Sequence, residues 1–328
     1  MTSGPIQRSD TLLAQINEDK EFSYDRIRSG LLMMAYGLFA KNFVADRLGL
    51  LVEKAYSGYE TQTGFVLMLG VIIYAFQLYC DFMGYSCIAL GSAKALGFEL
   101  PDNFRQPYLS SSVKEFWGRW HISLSVWLRD YIYLPLGGSR KGGIRTLINI
   151  AIVFLVSGIW HGRGLTFLVW GLLHGVFRIF DELTLKKREE MISGSKNAVV
   201  KMLLKGLCII LTFAAVDFAW LFFRAESLQT AVVIVRRIFT ENAALYSLRN
   251  GLYAFGLSKK ELAVWFAGLL IVLAVDLLHE RGIHIGERIK NCNVFWRWAV
   301  YIVFVMFILA SGIYYYGYSA QTFIYSGF

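Results

Sequence analysis

The sequence predicts an all-α protein, a polytopic bundle of membrane helices, and composition, long apolar runs and the placement of charge together predict it. Of 328 residues, 56% are hydrophobic and 17% charged, and the mean hydropathy of +0.47 is well above that of an ordinary soluble domain. The stretches 63–79, 146–160, 164–180, 202–223, 262–278 and 298–316 approach the roughly 20 apolar residues that a helix needs to cross about 30 Å of hydrocarbon. They run continuously apolar where the strands of a membrane barrel would alternate, so the backbone has to satisfy itself within helices. The net charge of +9 sits in short loops between these runs, which fits the orientation of a multi-pass protein better than nucleic-acid binding.

Along the chain, MTSGPIQRSD has no charged region followed by an apolar core, as a signal peptide would. It reads as a loop, so the chain is expected to begin inside a longer arrangement. Residues 26–50 are apolar but carry Lys41, Asp46 and Arg47, giving either a protein-facing membrane helix or an interfacial one. The span beginning at 63 runs into YCDFMGYSCIALGSAKALGF, where Asp81 precedes Gly84, Ser86, Gly91 and Ser92. Small residues of this kind let helices approach closely. Pro101 and Pro107 then break the helix, and Ser110, Ser111 and Ser112 are candidate caps for the next one.

Residues 113–134 place Phe116, Trp117, Trp120, Leu124, Trp127, Leu128 and Tyr131 at helical spacing. With their charges they suit an interfacial or re-entrant helix. GGSRKGGIR collects Arg140, Lys141 and Arg145, which places that loop on the cytoplasmic side. It lacks the spacing of a phosphate loop. The turn WHGRG joins 146–160 to 164–180, and Lys186, Lys187 and Arg188 return the chain to the cytoplasm. Simple counting makes 224–260 external despite its basic residues, so a re-entrant or interfacial segment is expected there. SLQTAVVIVRRIF has a stripe at Leu228, Ala231, Val232 and Val235 and is expected on the surface. Cys80, Cys87, Cys208 and Cys292 have no metal-ligand or framework spacing and read as packing residues.

Three histidines, His121, His161 and His174, fall in apolar or aromatic surroundings, where an ionisable group is costly and a functional candidate. His174, on a helix face with Trp170 and Phe177, reads as a packed, hydrogen-bonded imidazole. His279 and His284 read as solvated. His161 follows Trp160 at a helix break, between Gly158 and Gly162, and broken helices at membrane depth line cavities or lie within protein. An imidazole there suits proton removal from a hydroxyl nucleophile. His121 follows Trp120, four residues before Ser125 and eight before Arg129. No serine elbow, zinc-hydrolase motif or metal cluster is visible, so no metal site is expected. An enzyme acting on a hydroxyl nucleophile, a transporter or flippase using Asp81, Lys41 and Asp46, and a non-catalytic fragment or scaffold that recruits a partner all remain open.

The block from DFMGYSCIALGSAKALGFELPDNFRQPYLSSSVKEFWGRWHISLSVWLRDYIYLPLGGSRKGG to FLVSGIWHGRGLTFLVWGLLHG closely resembles the membrane-bound O-acyltransferase family, in its bacterial alginate O-acetyltransferase branch and beside the teichoic-acid D-alanylation proteins. The resemblance implies one domain over 1–328 that lacks N-terminal helices of the family, with core motifs over 77–175 and membrane helices over 200–328. It implies helices and re-entrant segments around a funnel in a bacterial cytoplasmic membrane. His161 then corresponds to the family's essential histidine and His121 to its second motif histidine. Trp120, Trp160, Arg129, Asp130 and Asp81 fall in the same motifs as substrate-binding candidates. No bound cofactor is implied. An acyl thioester, acetyl-CoA or an acyl carrier protein, would be the donor, acetyl being favoured over D-alanyl. A polysaccharide would be the acceptor, reached through a partner of the SGNH-hydrolase type, and no nucleic acid is involved.

Overall fold

The computed structural model describes residues 4–241 and 259–311. Among these residues there is no β-sheet, and an isolated bridge joins Phe104 to Trp120. Among the described residues four helices are long and apolar enough to cross a membrane: Gly64–Leu96, Gly143–His161, Ala198–Arg224 and Lys259–Glu280. The stretch 164–180 forms the first half of a longer helix, Leu165–Gly194, whose second half is rich in charge. The last expected span is a shorter apolar helix over Val294–Ala310, and residues 242–258 and 312–328 lie outside the described region.

The chain divides into two compact units. The first holds residues 4–57, 73–103 and 259–311. Its elements are α1 (Ser9–Ile16), α2 (Tyr24–Leu38), a π-helical segment (Phe39–Ala45), α3 (Asp46–Ser57) and most of α4 (Gly64–Leu96). At its C-terminal end come α11 (Lys259–Glu280), α12 (Ile285–Lys290) and α13 (Val294–Ser311). Helices α2 and α4 meet at two glycine pairs. A Cβ on Gly30 would lie 2.4 Å from the Gly91 carbonyl oxygen, and one on Gly37 would lie 2.5 Å from that of Gly84. The small residues of the Asp81 segment thus do close helix packing, and the pairing of rising with falling numbers makes the helices antiparallel.

Beyond that contact, the segment 26–50 turns out to face protein. Lys41 Nζ lies 2.6 Å from Asp46 Oδ1 and 2.8 Å from Asp81 Oδ1, and both carboxylates are buried. Lys41 and Asp46 are five residues apart, a spacing that an α-helix turns away from each other but a π-helix brings into line. Phe39 and Phe43 stack and pack against Phe307. On the far side of α4, the Tyr79 hydroxyl donates to Asp276 at 2.9 Å.

The second unit holds residues 58–72 and 104–241. It contains α5 (Val113–Arg119), α6 (Ile122–Leu128), a π-helical turn (Arg129–Tyr133), α7 (Gly143–His161), α8 (Leu165–Gly194), α9 (Ala198–Arg224) and α10 (Leu228–Thr240). Residues 113–134 are therefore not one amphipathic helix. The chain breaks at His121, whose φ of 43° is left-handed. Ser112 caps α5, accepting from the Glu115 amide at 3.0 Å, while Glu115 accepts from the Ser111 amide at 2.7 Å. The first turn of α5 is held to α8 by Asp181, which accepts from the Lys114 amide at 2.8 Å and pairs with Arg188. In α10 the buried residues are Ala231 and Ile234, while Val232 is exposed, so the inward stripe is rotated from the expected one. Cys80 is buried as expected, whereas Cys292 is exposed.

Helices α7 and α8 form an antiparallel hairpin closed by Gly158 and Gly171. A Cβ on Gly158 would stand 2.6 Å from the Phe167 carbonyl oxygen, and one on Gly171 would stand 2.4 Å from that of Phe154. Both obstacles are backbone, so neither can swing aside. Gly171→Ala is expected to lower stability by about 1–3 kcal/mol, as overpacking does. Gly206→Ala, on α9 with nothing within 4 Å of the added carbon, is expected to be neutral or stabilising, because alanine is the better helix former. Detergent melting curves of the two variants check the contrast.

Candidate functional site

His161 is the last residue of α7, and Gly162 begins the turn into α8. The helix ends there because two glycines, Gly162 and Gly164, follow within three residues and supply no side chain to continue the packed face. His161 is 2% exposed. Its Nδ1 stands 2.7 Å from the carbonyl oxygen of Ser157, one turn earlier. A carbonyl only accepts, so Nδ1 carries the proton and the lone pair of the neutral ring is on Nε2. The helix thus selects the tautomer of its own terminal histidine.

Three aromatic rings pack against that imidazole. Trp160 lies 4.8 Å away between ring centres, Trp170 4.7 Å and Phe223 5.6 Å. Trp170 in turn stacks on Trp220 at 5.7 Å. Trp160 stays half exposed, while Trp170 and Trp220 are fully buried. The site is therefore an aromatic chamber with one open-sided wall.

His121 stands at the break between α5 and α6 and is 3% exposed. Its ring lies 6.5 Å from that of Trp160, and it is within electrostatic reach of His161. A non-glycine residue in left-handed backbone is uncommon, and such strain collects where a function fixes the conformation. The break is held from behind, where the Arg105 amide donates to the Arg119 carbonyl at 3.0 Å. Trp120 is 1% exposed, packed against Phe104, Phe116 and Trp220. Its indole supports the chamber from below the rings that surround His161.

Arg129 pairs with Asp130 at 2.8 Å, and their side chains are 59% and 31% exposed. The π-helical turn that carries them turns this pair outward, so Arg129 does not join the buried chamber. Asp81 belongs to the first unit, where Lys41 holds it. Arg140, Lys141 and Arg145 are exposed. Among the described residues no group of three or more His, Cys, Asp or Glu is placed to hold a metal ion.

Several residues of the chamber escaped the sequence reading. Ser157 is visible in hindsight four residues before His161, the spacing that brings a helical carbonyl under a side chain one turn on. Trp220 and Phe223 come from α9, some sixty residues away, inside a run that reads as an ordinary span, and carry no local signal. His174 is a packed imidazole as expected: its Nδ1 accepts from the Trp117 indole at 3.3 Å.

A sequence model of the membrane-bound O-acyltransferase family matches residues 1–189. The chain is 36% identical to a probable alginate O-acetylase of Pseudomonas putida over 241 residues, 73% of this chain and 47% of that protein. It is 34% identical to a peptidoglycan O-acetyltransferase of Helicobacter pylori over 242 residues, covering 72% and 44% of the two chains. It is 30% identical to a teichoic acid D-alanyltransferase of Streptococcus thermophilus over 244 residues, covering 68% and 58%. The chain spans about half the length of the curated relatives it matches.

Proposed function

Because the chain belongs to the membrane-bound O-acyltransferase family, we propose that it transfers an acetyl group from a thioester to a hydroxyl of a cell-surface polysaccharide, with His161 as general base. The observation that carries this reading is the hydrogen bond from His161 Nδ1 to the Ser157 carbonyl, which leaves Nε2 as the proton acceptor. A hydroxyl approaching the thioester carbonyl gives its proton to Nε2 as its oxygen bonds to the carbonyl carbon. The carbon–sulfur bond then breaks, and the thiolate takes the proton back from the imidazolium. His121, near the same chamber, orients the incoming hydroxyl. The buried aromatic walls exclude water, which would otherwise hydrolyse the thioester.

Acetyl is favoured over D-alanyl because the O-acetylating relatives are 34–36% identical and the D-alanyltransferase 30%. Acetyl-CoA or an acylated carrier protein is the donor on the cytoplasmic side, where exposed Arg140, Lys141 and Arg145 attract an anionic molecule. The protein works in a bacterial cytoplasmic membrane and hands the acetyl group to the polysaccharide directly or through an SGNH-hydrolase-like partner.

The test is to produce the protein in its own cells with His161 intact or as His161→Ala and to measure hydroxylamine-sensitive O-acetyl esters in the exopolysaccharide and wall fractions. The esters are expected to depend on His161 while both proteins reach the membrane in equal amount. Equal esters in the two strains would overturn the reading.

A further inference from the structure

Beside His161, the second unit contains three nitrogen donors that cannot satisfy one another. Trp170 Nε1, Trp220 Nε1 and His174 Nε2 are buried and have no hydrogen-bond partner among the described residues. An indole nitrogen only donates. His174 behaves as a donor at Nε2 for a reason the geometry supplies: its Nδ1 accepts from the Trp117 indole, so the proton of the neutral ring is on Nε2. No rotation of the three side chains converts a donor into an acceptor. Ser157 Oγ, on the residue whose carbonyl holds His161, is a fourth buried polar atom without a partner.

The rings that carry these donors form one cluster. Trp170 and His174 are 5.0 Å apart between ring centres, His174 and Trp220 5.8 Å, and Trp170 and Trp220 5.7 Å. Trp170 also lies 4.7 Å from His161 between ring centres. All three donor side chains are fully buried. A buried donor left unmade is more unfavourable than a made one is favourable, and native proteins rarely collect three in one place.

We propose that this cluster is the subsite for the carbonyl oxygen of the acyl group. The inference rests on the acyl-transfer reading above and adds to it the group that holds the reacting carbonyl. The site calls for an acceptor that carries no donor of its own, and a carbonyl oxygen is that. It also calls for a ligand that enters uncharged, because a full anion would lose its hydration to walls that hold no cation. A thioester carbonyl enters neutral and gains negative charge on oxygen only as the hydroxyl attacks. Fixed N–H donors facing that oxygen stabilise the transition state more than the bound thioester, which is the condition for raising kcat. In the attack, the new oxygen–carbon bond forms with the proton on His161 Nε2, the carbonyl electron pair moves to the oxygen held by the donors, and it returns as the carbon–sulfur bond breaks. Trp117 has a positioning role, since its indole fixes which nitrogen of His174 donates.

The experiment replaces Trp170 or Trp220 by 3-benzothienylalanine, which keeps the bicyclic shape and puts sulfur where the N–H was. The probe is S-acetyl-N-acetylcysteamine labelled with carbon-13 in the carbonyl, given to the protein in its native membranes. Two readouts are taken: the kinetics of thioester consumption, and the isotope-edited infrared stretch of the labelled carbonyl bound to the His161→Ala form. Each replacement is expected to lower kcat by about 10²-fold, the loss that follows removal of one such donor, with KM little changed. The bound carbonyl, shifted to low frequency by the indoles, is expected to move up when either N–H is removed. Unchanged kcat with an unmoved stretch would overturn the subsite while leaving His161 in its role. Thioester consumption that persists in His161→Ala would instead overturn the acyl-transfer reading itself.

Discussion

His161→Asn is expected to abolish transfer while leaving the protein folded, with a loss of about 10²–10⁴-fold, the contribution of a positioned general base. The choice of asparagine follows from the geometry of α7. The amide nitrogen of asparagine reaches the place of Nδ1, so it donates to the Ser157 carbonyl in the histidine's stead, and nothing stands where Nε2 stood. His161→Gln tests the complementary half. Its amide reaches toward the Nε2 position but is no base, and it gives up the donor to Ser157. Both variants are expected to be inactive, with the asparagine form the more stable of the two because its buried carbonyl keeps a partner. Rates of thioester consumption and detergent melting curves measured on the same preparations check this. An asparagine variant with parental turnover would show that the proton leaves by another route.

The same residue shows what could be read from the sequence and what could not. Gly158, Gly162 and the tryptophan before His161 announced a helix break and a histidine inside it, and the break is there. The glycines around Asp81 announced close helix contact, and Gly84 and Gly91 make it. Both signals are local, set by residues a few positions apart. The chamber wall is not local. Phe223 reaches His161, and Trp220 backs Trp170, only because α9 packs on α8, and nothing in AWLFFR distinguishes them from residues facing lipid. The break at His121 was hidden for a different reason. The spacing of Phe116, Trp120, Leu124 and Leu128 is helical to the eye, and a single left-handed residue leaves that spacing intact while redirecting the chain. The π-helical segments failed likewise, because a search at 3.6 residues per turn cannot register Lys41 and Asp46 as neighbours. Arg129, a candidate by its place in the family's motif, is carried outward by the second of those segments.

Lys41→Met is expected to be the most damaging change to stability in the first unit. Lys41 pairs with two carboxylates, Asp46 and Asp81, whose side chains are 9% and 3% exposed. Removing it leaves two buried acids facing each other, and breaking one buried pair costs about 3–5 kcal/mol. The π-helical register brings Lys41 and Asp46 together, so the loss of the pair also removes a contact that favours Phe39–Ala45 over a regular helix. The triple variant Lys41→Met, Asp46→Asn, Asp81→Asn separates charge from packing. It keeps the volumes and discards every charge, and it is expected to recover most of the lost stability, since the desolvation of three ions disappears with their attraction. Melting the two variants beside the parent in one detergent decides the matter. If Lys41→Met melts with the parent, the two acids carry their own proton in the folded protein. A lowered melting point in Lys41→Met instead marks the triad as a structural brace that ties the π-helical segment and α3 to α4.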